Sequence, residues 1–220
     1  MIQDSTLKFL RSLHRNNNKA WMDEHRAAYE AARKDFMNLT EELVRGIGRF
    51  DQNIADLKPS SCIFRQNRDI RFSKDKSPYK TAMGAYLNKG GKKNPTAGYY
   101  FHLEPGNSFL AGGLWMPEPS ILAKVRQEID YNADEWSRIV NDKNSRKHFK
   151  GGLDQSLKLV RPPKGYTEDN PAIDFLLLKS FVQTMPMEDK DVLSPTNSKK
   201  AISVFQSLKP MIDFLNRAMD

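Results

Sequence analysis

The side chains best able to do chemistry in this chain are gathered in one short stretch, Arg65 to Lys80, RQNRDIRFSKDKSPYK. It holds Arg65, Arg68, Arg71, Lys74, Lys76 and Lys80, with only Asp69 and Asp75 to offset them. Together with Lys89, Lys92 and Lys93, these residues carry nearly all of the chain's formal net charge of +8. Guanidinium forks match phosphate and carboxylate oxygens two bonds at a time, a reason to find arginine rather than lysine at such a site. The ligand-binding reading is a pocket for a phosphate or carboxylate that uses Arg65, Arg68, Arg71, Lys76, Tyr79 and Lys80. The structural reading is a salt-bridge network in which Asp69, Asp75 and helix acids such as Asp23 or Glu24 pin the arginines. Both can hold together, with Asp69 orienting an arginine that binds. On a regular strand Arg65 and Arg71 share a face and Arg68 does not. Convergence of all three therefore requires a local irregularity near Gln66-Asn67, such as a bulge.

A second constellation is Tyr100-x-His102-x-Glu104. Alternation on a strand puts these three on one face and Tyr99, Phe101 and Leu103 on the other, toward a core. Tyr100 and His102 join the expected ligand site. A Tyr/His/Glu row beside arginines suits general acid–base work, and His102 and Asp69 are the candidate proton carriers. The competing reading is an exposed outer sheet face. Gly112-Gly113 in the next strand marks a bulge or the close approach of a ligand or another backbone, so a pocket is expected here, near Trp115. The loop Asn88-Lys89-Gly90-Gly91-Lys92-Lys93-Asn94 closes over a ligand, tracks a nucleic-acid backbone, or is a solvated hairpin tip. It is not a Walker A loop, because Tyr86 and Lys93 stand where glycine and a hydroxyl residue are required.

Other signals fail. The four histidines have no metal-ligand spacing, so no metal or cofactor is expected. Asp130-x-Asn132-x-Asp134 resembles a calcium loop, but Glu135 replaces the glycine. Ser77-Pro78-Tyr79-Lys80 lacks the companion motifs of a serine nucleophile. Cys62, the single cysteine, is expected to be buried and inert.

These residues need elements to position them. Asp4 or Ser5 caps a first helix and Asn16 to Asn18 break it. One long helix then carries the stripe Trp21, His25, Ala28, Ala32, Phe36, Leu39, Leu43 and Ile47. Strands are expected at 62–64, 70–72, 84–87, 98–104 and 108–116, the last two joined by a Pro105-Gly106-Asn107 turn. Helices follow from Pro119 and from Asn132, the latter through a capping box. A strand is read at 157–160, a helix from Asn170-Pro171, and a final strand at 181–185. The terminal helix, 197–219, is split or kinked by Pro210. The expectation is a single α+β domain over 1–220: helical to residue 50, sheet over 60–116, mainly helical from 117. The central antiparallel sheet would have about five strands, flanked by N-terminal and C-terminal helices.

At 39% hydrophobic and 28% charged, the composition is that of an ordinary globular protein. No apolar run is long enough for a membrane span and no signal peptide is read, so a cytoplasmic location is expected. A basic balance favours an acidic partner. An anionic small molecule is the leading partner. A nucleic acid is the weaker one, because Phe64 and Phe72 interleave with the cations but also suit a core. The oligomeric state is open, as is the question of whether the protein is an enzyme; the remaining alternative is an interaction protein whose salt-bridge motif is structural.

The motif Arg65-x-x-Arg68-Asp69-x-Arg71-Phe72, followed by Asp75-Lys76-x-x-Tyr79-Lys80, resembles the signature of a mostly bacterial family of uncharacterised proteins, a domain of unknown function. The resemblance extends over the chain. It includes FLRSLHRNNNKAWMDEHRAAYE, YYFHLEPGNSFLAGGLWMPEP, RPPKGYTEDNP and LKPMIDFLN, and departs at Met22, where an aromatic is expected. It implies a family without implying a mechanism.

Overall fold

The structure is a computed structural model that describes residues 1–219. Its centre is an antiparallel sheet of four strands, β1 (Met83–Asn88), β2 (Gly98–Leu103), β3 (Ser108–Leu114) and β4 (Phe181–Met187), in the order β1-β2-β3-β4. The fold is α+β, with four strands where about five were expected. Before the sheet come α1 (Asp4–Arg15), α2 (Lys19–Glu24), α3 (Arg26–Ile47), α4 (Gln52–Ala55) and α5 (Pro59–Cys62). Between β3 and β4 lie α6 (Pro119–Tyr131), α7 (Ala133–Val140), α8 (Lys143–His148) and α9 (Ile173–Leu176). The chain ends with α10 (Asp189–Val192), α11 (Asn197–Gln206) and α12 (Lys209–Arg217).

The sheet is two-faced because its strands alternate. Tyr99, Phe101, Leu103 and Leu110 point to one side and are fully or almost fully buried. Packed against that side are α3, α11 and α12. Phe36 meets Phe101 edge-on at 6.2 Å, and Phe205 meets Tyr99 at 5.5 Å. Contacts of this kind add roughly 0.5–1.5 kcal/mol each beyond the area they bury. One hydrophobic cluster runs from Ile2 to Leu215 and ties both helical ends to the sheet. Among the described residues no helix is long and apolar enough to cross a membrane.

The expected long helix is interrupted at His25, which leaves helical geometry (φ −101°, ψ 23°) and separates α2 from α3. The imidazole stacks on Trp21 at 4.1 Å, and its Nδ1 lies 2.9 Å from the Trp21 carbonyl oxygen. Asn18 caps α2 as expected, accepting from the Trp21 amide. Gln3 occupies the N-cap position of the first helix without a side-chain capping bond, so Asp4 and Ser5 lie inside the helix. Asn132 makes no capping bond of its own; its side chain donates backward to Glu128. Pro210 stands in the first turn of α12 after a break at Ser207-Leu208, the expected split.

Three expected strands are absent. In 62–64, Cys62 ends the helical turn α5 and Ile63 makes one bridge, to Ala85. Residues 70–72 belong to a loop. Residues 157–160 make only the Lys158–Leu178 bridge, and Val160 is exposed. Residues 62–64 do reach the free edge of β1, where the Phe64 amide also donates to the Gly84 carbonyl, but Cys62 still belongs to α5 and the pairing ends at a single bridge. Cys62 is buried, and burial pushes its thiol up, against the smaller effects of Ser61 and Lys92.

Candidate functional site: a cationic cavity on the open face of the sheet

Over the second face of the sheet lies a cavity of about 720 Å³, walled by segments outside the sheet that include Phe64, Lys80, Lys92, Trp115 and Asp154. Register decides what lines the floor. Tyr86 on β1 pairs with Tyr100 on β2, which pairs with Ala111 on β3 and, through it, Thr184 on β4. The next row is Gly84, His102 and Phe109. The Tyr86 hydroxyl donates its one proton to the Thr96 carbonyl at 2.7 Å and lies 3.2 Å from the Gly113 carbonyl oxygen across β2. Burial pushes its phenol well up.

The Tyr100–His102–Glu104 row is a hydrogen-bonded chain. The Tyr100 hydroxyl lies 2.9 Å from His102 Nδ1, and His102 Nε2 lies 3.2 Å from Glu104 Oε2. Burial, and then the Glu104 charge, push the Tyr100 phenol up to about 12, so it keeps its proton. Glu104 is pushed up by burial. Its bonds from Asn107, His102 and Thr81, with the His102 charge, more than reverse this and hold it below the usual carboxylate range. A protonated phenol at one end and a carboxylate at the other select one imidazole tautomer: Tyr100 donates to Nδ1, and Nε2–H donates to Glu104. His102 also stacks on Phe109 at 4.5 Å, which fixes its ring. Gly84 makes the room: a Cβ there would stand 2.6 Å from the Tyr100 hydroxyl.

Cations ring one side of the cavity. Arg65, Lys80, Lys92 and Lys93 line it, and they also line an adjoining cavity of about 440 Å³ that adds Arg33 of α3. Among the described residues none of these five makes an ion pair, and no carboxylate lines the adjoining cavity. Burial, and then the Arg65 charge, hold the Lys80 ammonium below the usual lysine value. Its Nζ lies 5.3 Å from the Phe64 ring centre. Lys92 is held by the Ser61 carbonyl at 2.9 Å. The Lys92-Lys93 loop is fixed by Asn88, whose side-chain amide donates to Asn94, Thr96 Oγ1 and Thr96 O. Two carboxylates, Glu118 and Asp154, line other parts of the larger cavity.

The segment 65–80 is a closed loop. The Arg68 amide donates to Pro78, and the Lys80 amide to Gln66, with an Asn67–Tyr79 bridge between. Gln66 is buried, and its side chain donates to the Lys80 and Ala82 carbonyls. Asn17 clamps Tyr79 from both sides, donating to its carbonyl and accepting from its amide. The irregularity foreseen at Gln66-Asn67 exists, but it closes the loop and does not gather the arginines.

Of the residues expected at the site, Arg65, Lys80, Tyr100 and His102 line the cavity. Arg68, Arg71, Lys76 and Tyr79 do not. Arg68 pairs with Asp75 and bonds Ser77 and Ser73. Arg71 forms a two-bond fork with Asp69, Nε to Oδ1 at 3.0 Å and Nη2 to Oδ2 at 2.7 Å. Lys76 donates to the Ile70 carbonyl, and Tyr79 packs on the core. Asp69 is held low first by Arg71 and sits in the exposed part of the loop, apart from the cavity. The acids that hold the arginines are thus local. Asp23 faces Arg26 instead, at 3.5 Å.

Sequence reasoning missed Arg33. The available signal was helical spacing: Tyr29, Arg33 and Met37 follow one another at four-residue steps, flanking the buried stripe, and all three line the adjoining cavity. It also missed Thr184, which only strand register brings to the floor.

Fold and site together define an α+β protein whose antiparallel sheet is backed by helices on one face and open to a cation-rimmed cavity on the other. The chain belongs to the family described as "Conserved hypothetical protein (DUF2461)", which it matches over residues 5–214. No curated protein and no solved structure matches it.

Proposed function

We propose that the protein binds a small, phosphate-bearing anion in the cavity over the open sheet face. The observation that carries this reading is the cluster Arg65, Lys80, Lys92 and Lys93 at one concave site without an ion pair among the described residues. Cations held together with no carboxylate in contact repel one another, and an anion with several oxygens relieves that repulsion. Arg65 offers the fork; the lysines offer point charges. The test is thermal unfolding with inorganic phosphate or pyrophosphate at fixed ionic strength, against chloride. Both anions should raise the midpoint, by an amount that grows with the logarithm of concentration. The rise should disappear in Arg65→Ala. Equal midpoints in phosphate and chloride would remove the reading.

An enzymatic reading has its own support in the Tyr100–His102–Glu104 chain. A ligand hydroxyl or bound water gives its proton to Tyr100 Oη while the phenolic proton passes to His102 Nδ1. The imidazolium so formed is stabilised by Glu104. This route needs no free phenolate, so a phenol near 12 is no obstacle. Tyr100 would be the catalytic residue, with His102 and Glu104 positioning it. Turnover of a phosphate ester that persists in Tyr100→Phe and His102→Ala would exclude it.

A further inference from the structure

We infer that the anion is a diphosphate group, and that Arg33 of α3 holds its second phosphate. The inference rests on the phosphate reading above and says how many phosphates the cation cluster is built for. Phe64, Arg65, Lys80, Met83, Lys92 and Lys93 line both the larger cavity and the adjoining one. The two cavities therefore meet along the cation row. A single phosphate in the larger cavity leaves the adjoining side, with Arg33, unanswered.

Charge sets the count. Arg33, Arg65, Lys80, Lys92 and Lys93 bring five positive charges to the adjoining cavity. One phosphoryl group carries about −1.5 to −2 at pH 7, so it leaves roughly three of them uncompensated. A second, linked phosphate adds roughly one further negative charge and more acceptor oxygens. Placement sets the direction. Glu118 and Asp154 line other parts of the larger cavity, so a second phosphate extending that way meets like charge. No carboxylate lines the adjoining cavity. The favoured course is away from the two acids and toward Arg33.

The adjoining side is held by packing. Phe36, buried against Phe101 of the sheet, anchors α3. Tyr29, Arg33 and Met37 follow one another at four-residue steps, so one flank of that helix lines the cavity. The Lys92 ammonium is seated on the Ser61 and Ser60 carbonyls of α5, at 2.9 and 3.4 Å, which positions it without neutralising it. Arg65 and Lys80 flank the backbone bond from the Lys80 amide to Gln66. They are near enough for the Arg65 charge to act on the Lys80 ammonium. The cations thus converge from α3, both arms of the 65–80 loop and the 92–93 turn. Two guanidiniums in one cavity of about 440 Å³ offer one fork per phosphate. A diphosphate is the smallest anion that presents two linked sets of phosphoryl oxygens to them.

The experiment is calorimetric titration of the full chain with inorganic phosphate, pyrophosphate, citrate and an alkyl diphosphate, at neutral pH and one ionic strength, without divalent cations. Pyrophosphate should bind about tenfold more tightly than phosphate, or better, the worth of one further charged hydrogen bond. In Arg33→Ala that preference should fall to about threefold or less, with phosphate affinity changed by less than about twofold. Lys34→Ala, which removes a charge from α3 outside both cavities, should leave the preference intact. Equal binding of phosphate and pyrophosphate overturns the diphosphate inference alone. So does an Arg33→Ala chain that keeps the full preference. Citrate as tight as pyrophosphate also overturns it, in favour of a general attraction to charge. An alkyl diphosphate as tight as pyrophosphate supports the inference and assigns the ligand to diphosphate esters; one about tenfold weaker supports it and assigns the ligand to free pyrophosphate. If neither phosphate nor pyrophosphate binds, the phosphate reading falls and takes the inference with it.

Discussion

The base and the tip of the 65–80 loop are built from the same residue types and have opposite electrostatics. At the tip, Arg71 is matched by Asp69 and Arg68 by Asp75. At the base, Arg65 and Lys80 face a cavity beside Lys92, Lys93 and Arg33, and no ion pair forms there among the described residues. Backbone pairing of 66–68 with 78–80 draws the base together and pushes the rest outward. A count of charges therefore overstates the loop as an anion site, because two of its three arginines are already neutralised. The lesson is that an arginine's availability depends on its nearest carboxylate more than on its place in a basic motif. Phe72 follows the same division: at the tip it is 95% exposed beside Arg71, while Phe64 at the base packs by the Lys80 ammonium.

The largest difference between the two regions should appear in the double variant Arg65→Ala/Lys80→Ala. Each charged hydrogen bond lost is worth roughly 1.5–3 kcal/mol, so phosphate affinity should fall about 100-fold or more by calorimetry. The unfolding midpoint without phosphate should hold or rise, since like charges are removed. A base that acts structurally would show the reverse: intact affinity and a lower midpoint.

Next in size is a pH effect at the base. The Lys80 value is held below 10.5 in the folded chain. A lysine depressed on folding makes the free protein gain stability as pH rises through the folded value toward 10.5, because the cost of burying the charge disappears. A bound anion needs that charge. Phosphate affinity should therefore begin to decline below pH 10.5, by up to about tenfold. In Lys80→Arg the decline should move to higher pH, and a profile that Lys80→Arg leaves in place would assign the effect to another group.

At the tip the effects are on stability. Arg68→Ala should lower the midpoint by roughly 2–4 °C and leave phosphate affinity within about twofold. The Asp75 carboxyl is held well below its ordinary value of 3.8, first by the Ser77 amide, then by the Ser77 hydroxyl and Arg68. A carboxyl depressed on folding stabilises in full above its unfolded value and loses that contribution as pH falls through the folded one. Asp75→Asn should accordingly flatten the loss of stability below about pH 4. An acid limb of unchanged slope would show that the Asp75 contacts do not persist in solution. The smallest effect is expected for Arg71→Ala, whose partner is solvent-exposed: midpoint and affinity should both stay within error. A loss of phosphate binding in Arg71→Ala would break the division between base and tip.

Much of the sheet was legible beforehand. The Pro105-Gly106-Asn107 turn marked the β2–β3 hairpin, and Gly106 does adopt a positive φ of 75°. Alternation separated Tyr100 and His102 from Tyr99 and Phe101 correctly. The double glycine pointed to the right region, although Gly112 and Gly113 serve different needs. A Cβ on Gly112 would meet Leu208 on the core side, and one on Gly113 would meet the β4 backbone. The strand read at 70–72 has no neighbour to pair with, and local residue preference does not supply one; at 62–64 the β1 edge is present, but the α5 turn runs to Cys62 and leaves one bridge.

Alone, the sequence determined periodicities and local partners: which residues alternate along a strand, where Asn18 caps, where Pro210 divides a helix, and that Asp69 and Asp75 stand within reach of arginines. These are short-range consequences of backbone geometry. Tertiary structure decided which cations remain unneutralised, that Arg33 joins them from α3, and that Tyr100 meets His102 above Gly84. Each of those depends on how distant segments dock, and docking follows from burial of the opposite sheet face against α3, α11 and α12, which leaves this face open.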